Sequence, residues 1–102
     1  MRIKLCGGEV RAMSKDGEIV DINRCVFSEL TKVNDVHKLD DMVHERFFKN
    51  IPGRIDLIVN GKNILLCAVI RYALKNDIWL VLWHYNEKKD LYNIPQTINI
   101  CD

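Results

Sequence analysis

The stretch Arg54–Tyr85, RIDLIVNGKNILLCAVIRYALKNDIWLVLWHY, decides the fold. Ile55, Leu57 and Val59 alternate with Asp56, Ile58 and Asn60, the two-residue period of a strand with one face buried and the other partly covered. Asn60-Gly61 follows at once. This dipeptide tolerates positive φ at both central positions of a type I′ turn, so between two apolar runs it predicts a hairpin. The next strand then spans Asn63–Leu74, and its centre, Ile64–Ile70, is apolar at every position, as in a strand covered on both faces. Lys75-Asn76-Asp77 makes a second turn. Beyond it Ile78, Leu80 and Leu82 point one way, while Trp79, Val81, Trp83 and Tyr85 point the other. Three consecutive strands in a meander are expected.

Two neighbouring strands that are apolar on both sides need two layers of cover. A helix can supply one. The N-terminal segment, a second copy of the chain or a different partner must supply the other. Burying one large side chain is worth roughly 1.5–3 kcal/mol, so Trp79, Trp83 and Tyr85 either fill the chain's own core or make an interface.

Upstream, Met1–Cys6 has the alternation of a first strand, with Gly7-Gly8 as a bend. Glu9–Met13 and Glu18–Ile22 flank Ser14-Lys15-Asp16-Gly17, a hairpin turn signal, with Val10, Ala12, Ile19 and Ile22 on the inner face. That inner face is a candidate cover for the second side of the main sheet. Asn23–Lys32 has no clean period and is expected to be a short strand or an irregular crossover. Val33–Asn50 is a helix: Asn34 or Asp35 can cap it, and Val36, Leu39, Val43 and Phe47 form one apolar stripe with Met42 beside it. Asn50-Ile51-Pro52-Gly53 ends it. Downstream, Asn86–Asp90 is a solvated turn. Leu91–Ile94 and Thr97–Cys101 form a last strand broken by Pro95, which cannot donate to a ladder and belongs at an edge.

The 102 residues suit one domain, 1–102. Lys and Arg number 15 against 14 Asp and Glu, and neither half is a basic arm, which disfavours a nucleic-acid binder. Cys6, Cys25, Cys67 and Cys101 form no Cys-x-x-Cys pair, and Cys67 falls in the expected core strand as a small hydrophobe. No signal peptide is legible, and no apolar run reaches the ~20 residues of a membrane helix. A cytoplasmic protein with free thiols is the economical expectation. Prominent Ile, Lys and Asn point to an A/T-rich bacterial, phage or plasmid source.

Residue constellations with chemical reach are few. His37, Asp41 and His44 share one side of the helix, but a tetrahedral metal site needs a fourth ligand and orienting partners, so no metal is expected. His44-Glu45 begins like the zinc-protease motif, yet position 48 is Phe. No phosphate-binding glycine loop, serine nucleophile elbow or activated cysteine is legible, so no cofactor and no catalytic residue is assigned. His84 and Tyr85 with Lys88, Lys89 and Tyr92 could act on a phosphodiester, His84 as base and the lysines stabilising charge. A meander followed by His, basic residues and Tyr resembles the C-terminal part of RelE-like messenger-RNA-cleaving toxins. That resemblance covers roughly the last 40 residues, without a specific motif. It departs from the family over residues 1–32, which read as a β-hairpin, and in the lack of strong basic charge.

The expected fold is α+β: an antiparallel sheet of about five or six strands, made of the N-terminal hairpin and the C-terminal meander, with one main helix on one face. Cystatin-like and helix-grip arrangements resemble it, without bearing on function. The expected function is that of a small binding protein, not an enzyme: an inhibitor such as a toxin-immunity or counter-defence protein. Its candidate contacts are Trp79, Trp83 and Tyr85, or the acidic helix residues Asp40, Asp41 and Glu45 against a basic nuclease. The alternatives are an RNA-binding or RNA-cleaving protein using His84, Lys88, Lys89 and Tyr92, and a homodimer joined through its sheets.

Overall fold

The computed structural model describes residues 1–13, 17–28 and 35–99. In chain order the elements are β1 (Arg2–Cys6), β2 (Arg11–Met13), β3 (Ile19–Asp21), β4 (Cys25–Phe27), α1 (Val36–Phe47), β5 (Arg54–Ile58), α2 (Asn63–Lys75), β6 (Trp79–Asn86) and β7 (Leu91–Asn99). The strands form one seven-stranded sheet in the order β3-β2-β7-β6-β5-β1-β4. The class is α+β, but the sheet is mixed. β4, β1, β5 and β6 run parallel to one another, β6 and β7 pair antiparallel, β7 and β2 parallel, and β2 and β3 antiparallel. Two helices, not one, cover it among the described residues.

The central correction falls on Asn63–Leu74, which is helix α2 and not a strand. Leu65, Ala68, Val69, Tyr72 and Ala73 are its buried residues, and their steps of three, one, three and one are the inner stripe of a helix. β5 and β6 pair in parallel over Arg54↔Trp79 to Ile58↔Trp83, and parallel strands cannot be joined by a tight turn; they need a crossover, which α2 provides. The expected meander is therefore a β-α-β unit.

Asn60-Gly61 makes no hairpin. The Asn60 side chain lies beside β1 and copies a ladder partner: the Cys6 N–H donates to Asn60 Oδ1 at 3.0 Å, and Asn60 Nδ2 donates to the Cys6 carbonyl at 2.8 Å. Gly61 packs so close to β1 that a Cβ there would stand 3.2 Å from both Cys6 Cβ and Leu5 Cδ2. The glycine serves a close approach and does not adopt positive φ.

Lys75-Asn76-Asp77, expected as a strand turn, closes α2. Asp77 sits in the left-handed region at φ 53°. The Ile78 N–H then reaches back to the Ala73 carbonyl at 2.9 Å, the six-to-one bond of a Schellman ending, with Ile78 buried behind it.

Helix α1 begins where a cap allows it: Asp35 accepts from the His37 N–H at 3.0 Å, while Asn34 lies outside the described residues. Leu39, Val43 and Phe47 are buried, and Val36 and Met42 are exposed. Both helices contribute to one core with Ile3, Leu5, Ile55, Leu57, Leu80 and Leu82, so they share one face of the sheet. Rings of Phe47 and Tyr72, with centroids 5.7 Å apart, knit the two helices together.

The N-terminal hairpin is present as β2 and β3, its turn at 14–16 lying outside the described residues. β2 extends the sheet beside β7, while Val10, Ala12 and Ile22 join Ile58 and Trp83 in a second, smaller cluster. The hairpin thus covers part of the second face through Val10, Ala12 and Ile22, whereas Ile19, expected on the inner face, is exposed. Residues 23–28 supply the short strand β4, and the remainder of Asn23–Lys32, from 29 on, lies outside the described residues. Strand β7 runs unbroken through Pro95, which pairs with Trp83 on one side. Among the described residues β2 pairs with β7 at Tyr92, and no pairing on that edge reaches Pro95. Cys67 is exposed on α2 rather than buried in a strand, and Cys6, Cys25 and Cys67 are free thiols. Among the described residues no helix is long and apolar enough to cross a membrane.

Candidate functional site

The side of the sheet away from the helices carries the polar and aromatic chemistry of the chain. Alternation along β1, β5 and β6 sends Ile3, Leu5, Ile55, Leu57, Leu80 and Leu82 to the helices. The residues between them, Arg2 and Lys4, Arg54 and Asp56, Trp79 and Trp83, are left on the other face. Register brings these together, since Arg2 pairs with Asp56 and Arg54 with Trp79.

Asp56 ties the group into one unit. Arg54 donates to both of its carboxylate oxygens, Nε to Oδ2 at 3.1 Å and Nη2 to Oδ1 at 2.9 Å. The Trp83 indole N–H donates to Oδ1 at 3.1 Å. The Arg54 guanidinium also lies over the Trp79 ring, 4.3 Å from its centroid, and that of Arg2 lies 5.5 Å over Trp83. The result is an alternating array of two arginines and two tryptophans around one carboxylate. Asp56 is only 8% exposed, and burial alone would raise its pKa. The hydrogen bonds from Arg54 and Trp83 and the Arg54 charge outweigh that, and its carboxyl is held below the ordinary 3.8. Trp79 and Trp83 are half-buried, and among the described residues the buried Trp79 N–H has no hydrogen-bond partner.

Next to this array, at the hairpin side, lies a cleft of about 590 Å³ lined by Lys4, Glu9, Arg11, Asp21, Tyr85 and Tyr92 among others. Tyr85 is 43% exposed, its ring 5.3 Å from that of Tyr92. Its hydroxyl donates to Asp90 Oδ1 at 2.5 Å, and this bond is the main cause that raises the Tyr85 pKa. Asp90 stands 3.7 Å from Arg11. Burial raises the Tyr92 pKa.

The other candidate residues lie elsewhere. Asp40 and Asp41 line a cleft of about 470 Å³ between α1 and α2, together with His44, Arg71, Tyr72 and Lys75. Asp40 is already paired there, accepting from Arg71 Nη2 at 2.6 Å and Nε at 3.1 Å. Glu45 is exposed on α1 and does not line that cleft. The acidic residues and the tryptophans therefore stand on opposite sides of the sheet, and one flat contact cannot use both. His84 contacts Gln96, Nε2 to Oε1 at 2.8 Å, while Tyr92 packs on Tyr85 in the hairpin-side cleft and Lys88 and Lys89 are exposed in the β6–β7 turn. Among the described residues no hydrogen bond or ion pair joins His84, Lys88, Lys89 and Tyr92 to one another.

Sequence reasoning singled out Trp79, Trp83 and Tyr85 but missed Arg2, Lys4, Arg54 and Asp56. The signal was present: in RIKLC and RIDLI, charged residues recur two apart within apolar strands, which puts them on one face. Comparison with protein-family models, with curated proteins and with solved structures finds no match to this chain.

Proposed function

We propose that this chain is a small cytoplasmic binding protein that acts as an inhibitor, in the manner of a toxin-immunity or counter-defence protein, and meets its protein partner with the helix-free face of the sheet. The observation that supports this reading is the array of Arg2, Arg54, Trp79 and Trp83 fixed around Asp56. Trp and Arg are the side chains that most often anchor protein interfaces. Here they are held in place before any partner arrives, which lowers the ordering cost of association. The acidic side of α1 is the weaker surface for such contact, because Arg71 already neutralises Asp40.

A second reading has its own support. Guanidinium groups and aromatic rings side by side on an open sheet face also suit stacking of single-stranded RNA bases. Affinity capture of the tagged chain from its host, with bound protein and nucleic acid analysed together, separates the two. A stoichiometric protein held by the wild type and lost with the Arg54→Ala/Trp79→Ala double variant supports inhibition through this face. RNA captured without protein transfers the face to the second reading. A partner that the double variant retains removes this face from the function.

A further inference from the structure

We infer that the cleft beside Tyr85 and Tyr92 is a binding site for a small organic phosphate that carries a planar ring, the chemistry of a nucleoside monophosphate. This inference is independent of any protein partner and rests on Lys4. The side chain of Lys4 projects from β1, an interior strand between β5 and β4, and the residue is only 7% exposed. An ammonium group has three donors. One goes to the Gly8 carbonyl, and among the described residues no carboxylate stands within ion-pair distance. A buried cation is costly unless an anion or a full set of acceptors meets it, and Lys4 lines the cleft. An oxyanion entering the cleft supplies both.

The rest of the lining specifies what the oxyanion is attached to. Arg11 adds a second cation, standing 3.7 Å from Asp90, which lines the cleft as well. Tyr92, its pKa raised by burial, stays a neutral hydroxyl at physiological pH. The exposed ring of Tyr85 is held in position through its bond to Asp90 and its packing on Tyr92, which gives a planar group a fixed surface to stack on. Glu9 and Asp21 also line the cleft. These carboxylates repel an anion and accept from hydroxyl or amino donors, so the phosphate belongs beside the Lys4 ammonium and the hydroxyls of a sugar suit the acids. The volume of about 590 Å³ falls within the usual range for small-molecule sites.

The test is a two-dimensional NMR titration of the full chain with adenosine monophosphate, with inorganic phosphate and with adenosine. Saturable shifts of the Lys4, Gly8 and Tyr92 amides are expected with the monophosphate, weaker binding with phosphate alone and the weakest with adenosine. Lys4→Met, which keeps the buried stem and removes the charge, should weaken the monophosphate about tenfold or more while leaving spectral dispersion intact. If that variant fails to fold, Arg11→Gln at the exposed end should weaken binding several-fold, and an unchanged affinity overturns the site. Absence of saturable shifts in the wild type overturns it outright, as does a folded Lys4→Met variant with wild-type affinity. Adenosine binding as well as the monophosphate overturns the role of the phosphate, and phosphate binding as well as the monophosphate overturns the role of the ring.

Discussion

The two faces of the sheet are built from the same three strands and differ in almost everything else. On the helix side, Ile3, Leu5, Ile55, Leu57, Leu80 and Leu82 are aliphatic and buried beneath α1 and α2. On the opposite side, Arg2, Lys4, Arg54 and Asp56 alternate with them, and the cover is two tryptophans and part of a hairpin. One face gains its stability from area removed from water. The other is held by directed bonds and stacked rings, which contribute less but fix side chains in particular places. The difference teaches that a single residue of strand register separates a side chain that seals the core from one held by directed bonds on the face proposed for recognition, so substitutions one position apart should have unlike consequences.

The largest expected effect is on the helix side. Leu57→Ala empties a fully buried site in the main core and should lower unfolding free energy by about 3 kcal/mol in a urea titration. A loss under about 1 kcal/mol would mean that the helices do not seal that face.

One residue away, Asp56→Asn should cost about 1–3 kcal/mol at neutral pH, because Arg54 and the Trp83 N–H lose a charged acceptor. Its pH dependence is distinctive. The folded state holds the Asp56 carboxyl below 3.8, so as pH falls the unfolded chain takes up its proton first. The contribution is complete above that value and is lost as pH falls through it toward the lower folded value. The difference in urea midpoint between wild type and Asp56→Asn should therefore be full at neutral pH and shrink in acid. A difference that stays constant into acid would show that the carboxylate is not what Arg54 and Trp83 recognise.

Tyr72→Phe should stabilise the chain, by about 1 kcal/mol in thermal unfolding, since the Tyr72 hydroxyl is buried among the helix-side contacts with no hydrogen-bond partner among the described residues. Least of all, Arg2→Gln removes one stacked guanidinium and should cost about 0.5–1 kcal/mol of stability, measured the same way.

How much of this was legible in the sequence varies by element. α1 was readable because its stripe of Leu39, Val43 and Phe47 comes with a capping Asp35 and a closing Pro52-Gly53. The N-terminal hairpin was readable from its turn and alternation. α2 was misread because its run from Ile64 to Ile70 is apolar all round, so amphipathic contrast was weak, and periodicity alone cannot separate a buried helix from a buried strand. Length was the missed arbiter: thirteen residues suit a helix better than a strand. Asn60-Gly61 added a false turn signal, since the same two residues also serve where a side chain must imitate a strand and a backbone must pass close to another. With α2 taken as a strand, parallel pairing was out of reach, and with it the register that sets Arg54 beside Trp79. At the candidate site the aromatic residues stood out by type, while Arg2, Lys4, Arg54 and Asp56 acquire meaning only when three strands distant in sequence lie side by side.

The central claim is that recognition belongs to the helix-free face. Its most direct test compares two double variants in one capture experiment: Arg54→Ala/Trp79→Ala on that face and Asp40→Asn/Asp41→Asn on the helix side. Loss of the bound partner with the first pair, and retention with the second, is the predicted result. Retention with the first pair and loss with the second would contradict the account and move recognition to the cleft between α1 and α2.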